Sequence, residues 1–280
     1  MRSRRRRKPE GVRAWTAMAA RAGYGARGFV YLSVGLLMLA SASGLGGQTL
    51  GSQGVAPWLA SQPFGRLWLI LLGLGLWAFV AWRVLQAVWD ADHEGRDWRG
   101  AATRLGQAVS GLVYALLAAG VFELLDEVGP RMAAEDIAEN QAKAAILLGL
   151  PFGDIVLMLV GLVVLGVGVG NIVTGLRVDF GEALSCSEHW RRRLCLLARV
   201  GYTVRGAAYL PLGVFVLIAG WHARAAEVRS FGSSLEAIRQ QPGGGWLVGV
   251  TALGFIAFGA FAFIEARFRR IRPPKTLSLG

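Results

Sequence analysis

The chain has few charged residues for its length of 280, only three histidines and only two cysteines. Charged side chains make up 17% of it, whereas soluble domains carry about a quarter. Apolar residues make up 54% and are collected in long blocks instead of being scattered at helical or strand spacing. This shortage of charge excludes an ordinary soluble domain and indicates that lipid is the solvent.

The residues that carry most enzyme and metal chemistry are too scattered to form a recognisable site. Cys186 and Cys195 lie in one predicted loop with His189 between them, but a zinc site needs a fourth ligand and closer spacing. No zinc-protease, nucleophile-elbow or paired Cys-x-x-Cys pattern occurs in the sequence. We therefore expect no catalytic residue, no metal and no cofactor, and an intramembrane enzyme is the weakest functional class.

The formal net charge of +12 comes mainly from arginines that flank the apolar blocks. They crowd residues 2–8 and 267–275 and the links between certain blocks. This placement is typical of segments that contact anionic lipid headgroups, and it disfavours a nucleic-acid partner. The apolar stretch after Gly28 begins too late for a cleavable signal peptide, so we expect it to be a membrane helix.

Six blocks are long enough to cross a bilayer, which takes about 20 mainly apolar residues. Their predicted bounds are Arg27–Leu45, Phe64–Leu85, Gln107–Leu125, Phe152–Thr174, Tyr202–Trp221 and Trp246–Glu265. The sequence thus predicts an all-α polytopic membrane protein. The acidic stretch 126–143 between the third and fourth spans predicts a helix on the membrane surface.

Lysine and arginine placement predicts the orientation of the spans. The N-terminus, the 92–99 link, the fourth–fifth link and the C-terminus hold most of the basic residues, whereas the loop Gly46–Pro63 has no charge. By the positive-inside rule, both termini lie in the cytoplasm, and we expect a multi-pass protein of the bacterial inner membrane.

Self-comparison shows that a two-span unit occurs three times. The motif Gly-Tyr-x-x-Arg-Gly-x-x-Tyr at residues 23–31 recurs at 201–209 and, in altered form, at 106–114, and Pro-x-Gly motifs begin at Pro63, Pro151 and Pro242. We divide the chain into a basic arm (1–13), three repeats (14–92, 93–182 and 183–272) and a tail (273–280). Because every unit has two spans, the copies are parallel, and they pack either as a pseudo-threefold bundle or in a row.

These motifs resemble those of bacterial membrane proteins that carry Domain of Unknown Function 1206. The resemblance rests on Gly23-Tyr24-x-x-Arg27-Gly28-x-x-Tyr31, on Gln62-Pro63-Phe64-Gly65 and on Trp82-Arg83-x-x-Gln86. The middle copy departs from the pattern, with Ser110 in place of the motif arginine. The resemblance implies three tandem copies in the membrane and implies no activity.

Motif glycines are predicted to bring helix backbones close together. They are Gly28, Gly111 and Gly206 in the first spans and Gly65, Gly153 and Gly244 at the starts of the second spans. The pairs Gly166–Gly170 and Gly245–Gly249 have the small-x-x-x-small spacing and are expected to act in the same way.

Polar motif residues change together from one repeat to the next. When the repeats are aligned on their prolines, the pairs are Arg27 with Gln86, Ser110 with Thr174, and Arg205 with Glu265. We predict a hydrogen bond between the two spans of each repeat, at the cytoplasmic end. The alternative is that each arginine separately reaches lipid phosphate.

The sequence favours a non-enzymatic module that is structural, associates with lipid or binds a partner, including a second copy. The alternative is a small transporter or channel that uses the centre of the bundle. No span shows a pair of ionisable groups near its centre on this interpretation, which disfavours transport. Polar residues on the bundle axis would favour it.

Overall fold

The computed structural model describes residues 10–43, 64–91, 95, 97–126, 133–177, 180 and 188–269. The helices are α1 (Glu10–Ala42), α2 (Gly65–Trp89), α3 (Trp98–Asp126), α4 (Ala133–Leu148), α5 (Gly153–Arg177), α6 (Glu188–Trp221), α7 (Phe231–Arg239) and α8 (Gly244–Phe268), with a 3₁₀ turn at Ala225–Glu227. Most of the basic arm, the loop Gly46–Pro63, Cys186 and the tail 273–280 lie outside the described residues.

Six of these helices, α1, α2, α3, α5, α6 and α8, are long and apolar enough to cross a membrane. This confirms the predicted fold class, an all-α polytopic membrane protein of three parallel two-helix repeats. Three apolar segments begin earlier than predicted, at Ala17 in α1, Gly100 in α3 and Trp190 in α6. The polar motif residues were interpreted as span ends, but a helix can carry them inside a bundle where other side chains cover them.

The spans pack in a cyclic order. The second span of each repeat packs most closely on the first span of the following repeat: α2 on α3, α5 on α6, and α8 back on α1. Within repeats, α1 contacts α2 and α6 contacts α8. The closing contact of α8 with α1 makes the arrangement a pseudo-threefold ring and not a row.

The ring is open at one place, between the two spans of the middle repeat. Within the described residues, α3 and α5 barely touch. In the other repeats a first-span glycine packs on a second-span phenylalanine, since a Cβ on Gly23 would lie 2.5 Å from Phe79 Cα and one on Gly201 would lie 2.7 Å from Phe258 Cα. The equivalent Gly106 has no atom within 4 Å of its Cβ position. We call this gap between α3 and α5 the seam.

Glycines at seven-residue intervals bring the helices of adjacent repeats together. A Cβ on Gly206 would lie 2.5 Å from the carbonyl oxygen of Gly168, and one on Gly28 would lie 3.0 Å from that of Gly259. The α5–α6 series consists of Gly161, Gly168 and Gly175 facing Gly206, Gly213 and Gly220. A seven-residue period keeps one face of each helix on its partner.

The four-residue glycine pairs do not pack in this way. A Cβ on Gly166, Gly170, Gly245 or Gly249 would have no atom within 4 Å. The prediction that these pairs bring helices together is therefore wrong. The seven-residue series places the contact on another face of α5, so Gly166 and Gly170 are turned away from α6.

The Pro-x-Gly motif forms the turn into each second span. Its middle residue has a left-handed backbone in every copy, with φ of 62° at Phe64, 61° at Phe152 and 77° at Gly243. A side chain on Gly153 or Gly244 would strike a carbonyl of the preceding short helix. Gly65, in the same position, is buried at the start of α2.

Short helices cover parts of the face opposite the termini. α7 packs on α6 and α8, and its first residue, Phe231, places its ring 5.4 Å from Tyr209 and 5.5 Å from Phe255. Arg239 at its other end donates to the Ser41 carbonyl and Oγ at 3.1 Å, which ties α7 to α1. The acidic stretch of the middle repeat is helical from Ala133, and α4 packs on α5 and the 3₁₀ turn.

Candidate functional site

Arg27 and Arg205 lie deep in their spans. Arg27 follows Ala17, the first residue of the apolar segment Ala17–Ala42, by ten residues, about 15 Å along the helix. Arg205 lies at the middle of the apolar segment Trp190–Trp221. The prediction that both stand at the mouth of a span is wrong, because α1 and α6 begin well before their motifs.

Arg27 contacts the third repeat. Its Nη1 lies 4.0 Å from Glu265 Oε2, and its Nη2 donates to the Tyr202 hydroxyl at 3.3 Å. The predicted pairing of Arg27 with Gln86 is wrong, since Gln86 Oε1 accepts from Arg83 Nη1 at 3.0 Å. Arg27 and Glu265 are both almost completely buried.

Arg205 also has a partner in a different repeat. Its Nη1 donates to Asn171 Oδ1 at 2.8 Å, and its Nη2 donates to the Tyr209 hydroxyl at 3.5 Å. The predicted pair of Arg205 with Glu265 is wrong, because Glu265 accepts from Arg269 and faces Arg27. The physical reason is the cyclic packing, in which each second span lies against the next repeat's first span.

The pair predicted in the middle repeat does not form either. Thr174 Oγ1 donates to the Gly170 carbonyl of its own helix at 2.7 Å. Ser110 lies on α3, which is separated from α5 by the seam. Gly111, the predicted packing glycine beside it, would place a Cβ 3.1 Å from Arg83 Cβ, so it lets α3 approach α2.

Two phenylalanine rings hold three guanidinium groups together. Arg27 Cζ lies 4.4 Å and Arg205 Cζ 4.6 Å from the centre of the Phe258 ring. Around Phe79 the distances are 5.7 Å for Arg27 and 4.8 Å for Arg83. Two arginines lie against each ring, so the distance between their guanidinium carbons cannot exceed the sum of their distances to the centre of that ring. A cation over an aromatic face is stabilised by the ring quadrupole.

The last tyrosine of the motif meets its counterparts at the bundle axis. The hydroxyl oxygens of Tyr31 and Tyr209 lie 3.1 Å apart. The Tyr114 hydroxyl is close enough to interact electrostatically with Arg27, Tyr31 and Arg205. The motif contains these tyrosines at the same position in all three repeats, but the sequence alone assigned them no role.

The buried cluster has an excess of positive charge and of unused polar atoms. Of the carboxylates in the described residues, only Glu265 lies within 4.0 Å of Arg27, Arg83 or Arg205. Among the described residues, six buried side-chain atoms have no hydrogen-bond partner: Nε of Arg27, Arg83 and Arg205, Oε1 of Gln107, the Tyr114 hydroxyl and Oε2 of Glu265. Buried polar atoms are normally paired, so these six are donors and acceptors available to a further polar group.

The sequence predicts no span with a pair of ionisable groups near its centre, and the cluster is assembled instead from single arginines of different spans, including one each from α1 and α6. In the described part of the chain, no three His, Cys, Asp or Glu side chains come together as metal ligands do. What the cluster can do chemically is attract and orient an anion.

Fold and site together define a polytopic membrane protein in which three two-helix repeats enclose a cationic cluster. Its family is named Domain of Unknown Function (DUF1206), and the chain belongs to it, with matches at residues 22–90, 105–177 and 200–269. The chain is similar to an uncharacterized protein, YxxB, of Bacillus subtilis strain 168, with 27% identity over 263 residues that cover 93% of this chain and 94% of the relative. No solved structure matches it.

Proposed function

We propose that this protein is a non-enzymatic anion-binding carrier of the bacterial plasma membrane, with its binding site at the centre of the repeat ring. The observation that carries the proposal is the charge imbalance around Phe79 and Phe258. Three arginines gather there, and one carboxylate, Glu265, lies near one of them. This polar centre favours the transporter alternative over the purely structural module.

Energetics support an anionic ligand. An arginine at the centre of a membrane helix costs about 2.5–3.5 kcal/mol on insertion scales, and an unpaired buried charge costs more than a paired one. Glu265 offsets part of this cost for Arg27, whereas in the described part of the chain Arg205 contacts Asn171, a tyrosine hydroxyl and aromatic rings but no carboxylate. A bound phosphate or carboxylate group would supply the missing negative charge and accept from the planar guanidinium donors.

The orientation follows from the basic residues that flank the spans. We propose that both termini are cytoplasmic and that the arginines on that face contact anionic headgroups. The cluster continues toward this face through Glu265 and Arg269, whereas α7 covers the other face. The anion would therefore exchange with the cytoplasmic side.

A second candidate is a membrane module without a transported ligand. The observation in its favour is the Phe258 ring, which lies within 4.4 Å of one guanidinium carbon and 4.6 Å of another and so fills space on the axis. On this alternative the arginines stabilise the packing of the six spans, and a protein partner or a second copy binds elsewhere.

Thermal unfolding of detergent-solubilised protein separates the two candidates. Sodium phosphate, sulfate, acetate and chloride are compared at constant ionic strength. A ligand that binds only the folded state raises the unfolding temperature. We expect one of the oxyanions to raise it in a saturable manner in the wild type and not in Arg205→Gln.

The matched control is Arg192→Gln, which removes the same charge from an exposed position of α6. It should respond to the anion like the wild type. An equal response of Arg205→Gln and Arg192→Gln would reject the central site and leave the second candidate.

A further inference from the structure

The two walls of the seam are built differently from the corresponding places in the other repeats. When the second spans are aligned on their prolines, Phe79 and Phe258 correspond to Val167 on α5. When the first spans are aligned on their glycine–tyrosine motif, Arg27 and Arg205 correspond to Ser110 on α3. The middle repeat is smaller at both positions. It therefore lacks the aromatic ring and the guanidinium that close the contact between the two spans elsewhere.

The seam leads to the cationic cluster. Arg205 donates to Asn171 on one wall, α5. It interacts electrostatically with Tyr114 on the other wall, α3. The Tyr114 hydroxyl and Gln107 Oε1 on α3 are buried and find no hydrogen-bond partner within the part of the chain that the structure describes. A polar group entering between the walls would meet a guanidinium, a hydroxyl and a carboxamide.

The outer parts of both walls are apolar. α3 exposes Leu105, Leu112 and Leu116, and α5 exposes Leu159 and Val163. Surfaces of this kind in a membrane-spanning helix face acyl chains. The seam thus joins a hydrocarbon environment at its outer edge to a positively charged one at its inner edge.

We propose that the seam admits an anionic phospholipid, whose phosphate binds Arg205 and whose acyl chains remain between α3 and α5. The proposal rests on the proposed anion site and names its ligand class. Charge complementarity selects the phosphate, and the gap in the ring selects a ligand that arrives from the bilayer. α7 covers part of the face opposite the termini, which disfavours a water-soluble anion that passes straight through the axis.

The experiment measures lipid binding to the full chain in dodecyl maltoside by native mass spectrometry and by thermal unfolding. The probes are dioleoyl phosphatidic acid, dioleoyl phosphatidylcholine and inorganic phosphate. The decisive variant is Val167→Phe, which restores the aromatic residue present in the other repeats and fills the seam. Its control is Val169→Phe, at an exposed position on the opposite face of the same helix.

We expect phosphatidic acid to bind the wild type at least tenfold more tightly than phosphatidylcholine. Val167→Phe and Arg205→Gln should each weaken the binding of phosphatidic acid at least tenfold, and Val169→Phe should not. If Val167→Phe fails to fold, Gly106→Leu takes its place, because the Cβ position of Gly106 has no neighbour within 4 Å.

The remaining outcomes are distinct. If phosphate stabilises the protein through Arg205 and Val167→Phe leaves phosphatidic acid binding unchanged, the seam proposal fails and the anion site stands. If neither the binding of phosphate nor that of phosphatidic acid depends on Arg205, both proposals fail. If phosphatidic acid binds all variants equally, it lies on the outer surface, and the seam proposal fails.

Discussion

The hydroxyl oxygens of Tyr31 and Tyr209 lie 3.1 Å apart, although the residues stand in the first and third repeats. Each is the last residue of the same motif, so their contact places the pseudo-threefold axis. The guanidinium of Arg205 lies over the Tyr31 ring at 4.7 Å and the Tyr209 ring at 5.1 Å. The two tyrosines thus form one wall of the cationic cluster.

Removing the hydroxyl from Tyr31 and from Tyr114 should have different effects on stability. Tyr31→Phe keeps the ring contact with Phe258 and loses the bond to Tyr209, so it should lower the free energy of unfolding by about 1 kcal/mol. The Tyr114 hydroxyl is buried and has no hydrogen-bond partner in the described residues, so Tyr114→Phe should cost less stability than Tyr31→Phe. Denaturant titration in detergent measures both, and a larger loss in Tyr114→Phe would contradict the prediction.

Glu265 should be coupled to Arg27 and not to Arg205. In a double-mutant cycle, Arg27→Gln with Glu265→Gln should give an interaction energy of about 0.5–3 kcal/mol, because residues in one network are not additive. Arg205→Gln with Glu265→Gln is the matched cycle and should be additive within about 0.5 kcal/mol. Equal coupling in both cycles would show that the arginines share the carboxylate.

Alanine at Gly206 should destabilise the protein, whereas alanine at Gly166 should not. The Gly206 methyl would meet the Gly168 carbonyl oxygen at 2.5 Å, and overpacking of this kind costs about 1–3 kcal/mol. Gly166 has no neighbour within 4 Å of a Cβ, so alanine there adds helix propensity, worth up to about 1 kcal/mol. Unfolding curves of the two variants should shift in opposite directions from the wild type.

The proposed orientation predicts which engineered cysteines a membrane-impermeant thiol reagent reaches in intact cells. In a cysteine-free background, Arg224→Cys lies in an exposed link on the face opposite the termini and should be labelled from outside. Arg192→Cys lies on the terminal face and should be labelled only after the membrane is permeabilised. The reverse result would invert the topology.

The spans and the repeat could be predicted from the sequence because both depend on local pattern. Apolar length identifies a membrane helix, and motif recurrence identifies the copies. The close approach at Gly28 and Gly206 could also be predicted, since glycine in such a motif has a direct packing explanation. Which glycines of α5 lie in the helix contact could not be predicted. The seven-residue series faces α6, whereas Gly166 and Gly170 lie on another face.

The partners of the polar residues could not be predicted from the sequence, because they depend on tertiary packing. The matched changes among the three copies single out Arg27, Arg205 and Glu265, which all lie in or beside the cluster, but they predict partners within one repeat. The ring instead places each second span on the next repeat, so Arg27 faces Glu265. The starts of the spans were predicted too late for a related reason, since the sequence does not distinguish an arginine inside a bundle from one at its edge.

The closing contact of α8 with α1 has a consequence for biosynthesis. The ribosome makes Arg27 long before its carboxylate partner, Glu265. Until α8 has entered the bilayer, α1 carries an arginine whose partner has not yet been synthesised. We therefore expect α1 to be less stably inserted during synthesis of the second repeat, and a chain truncated before α8 should leave this helix as a target for membrane quality-control proteases.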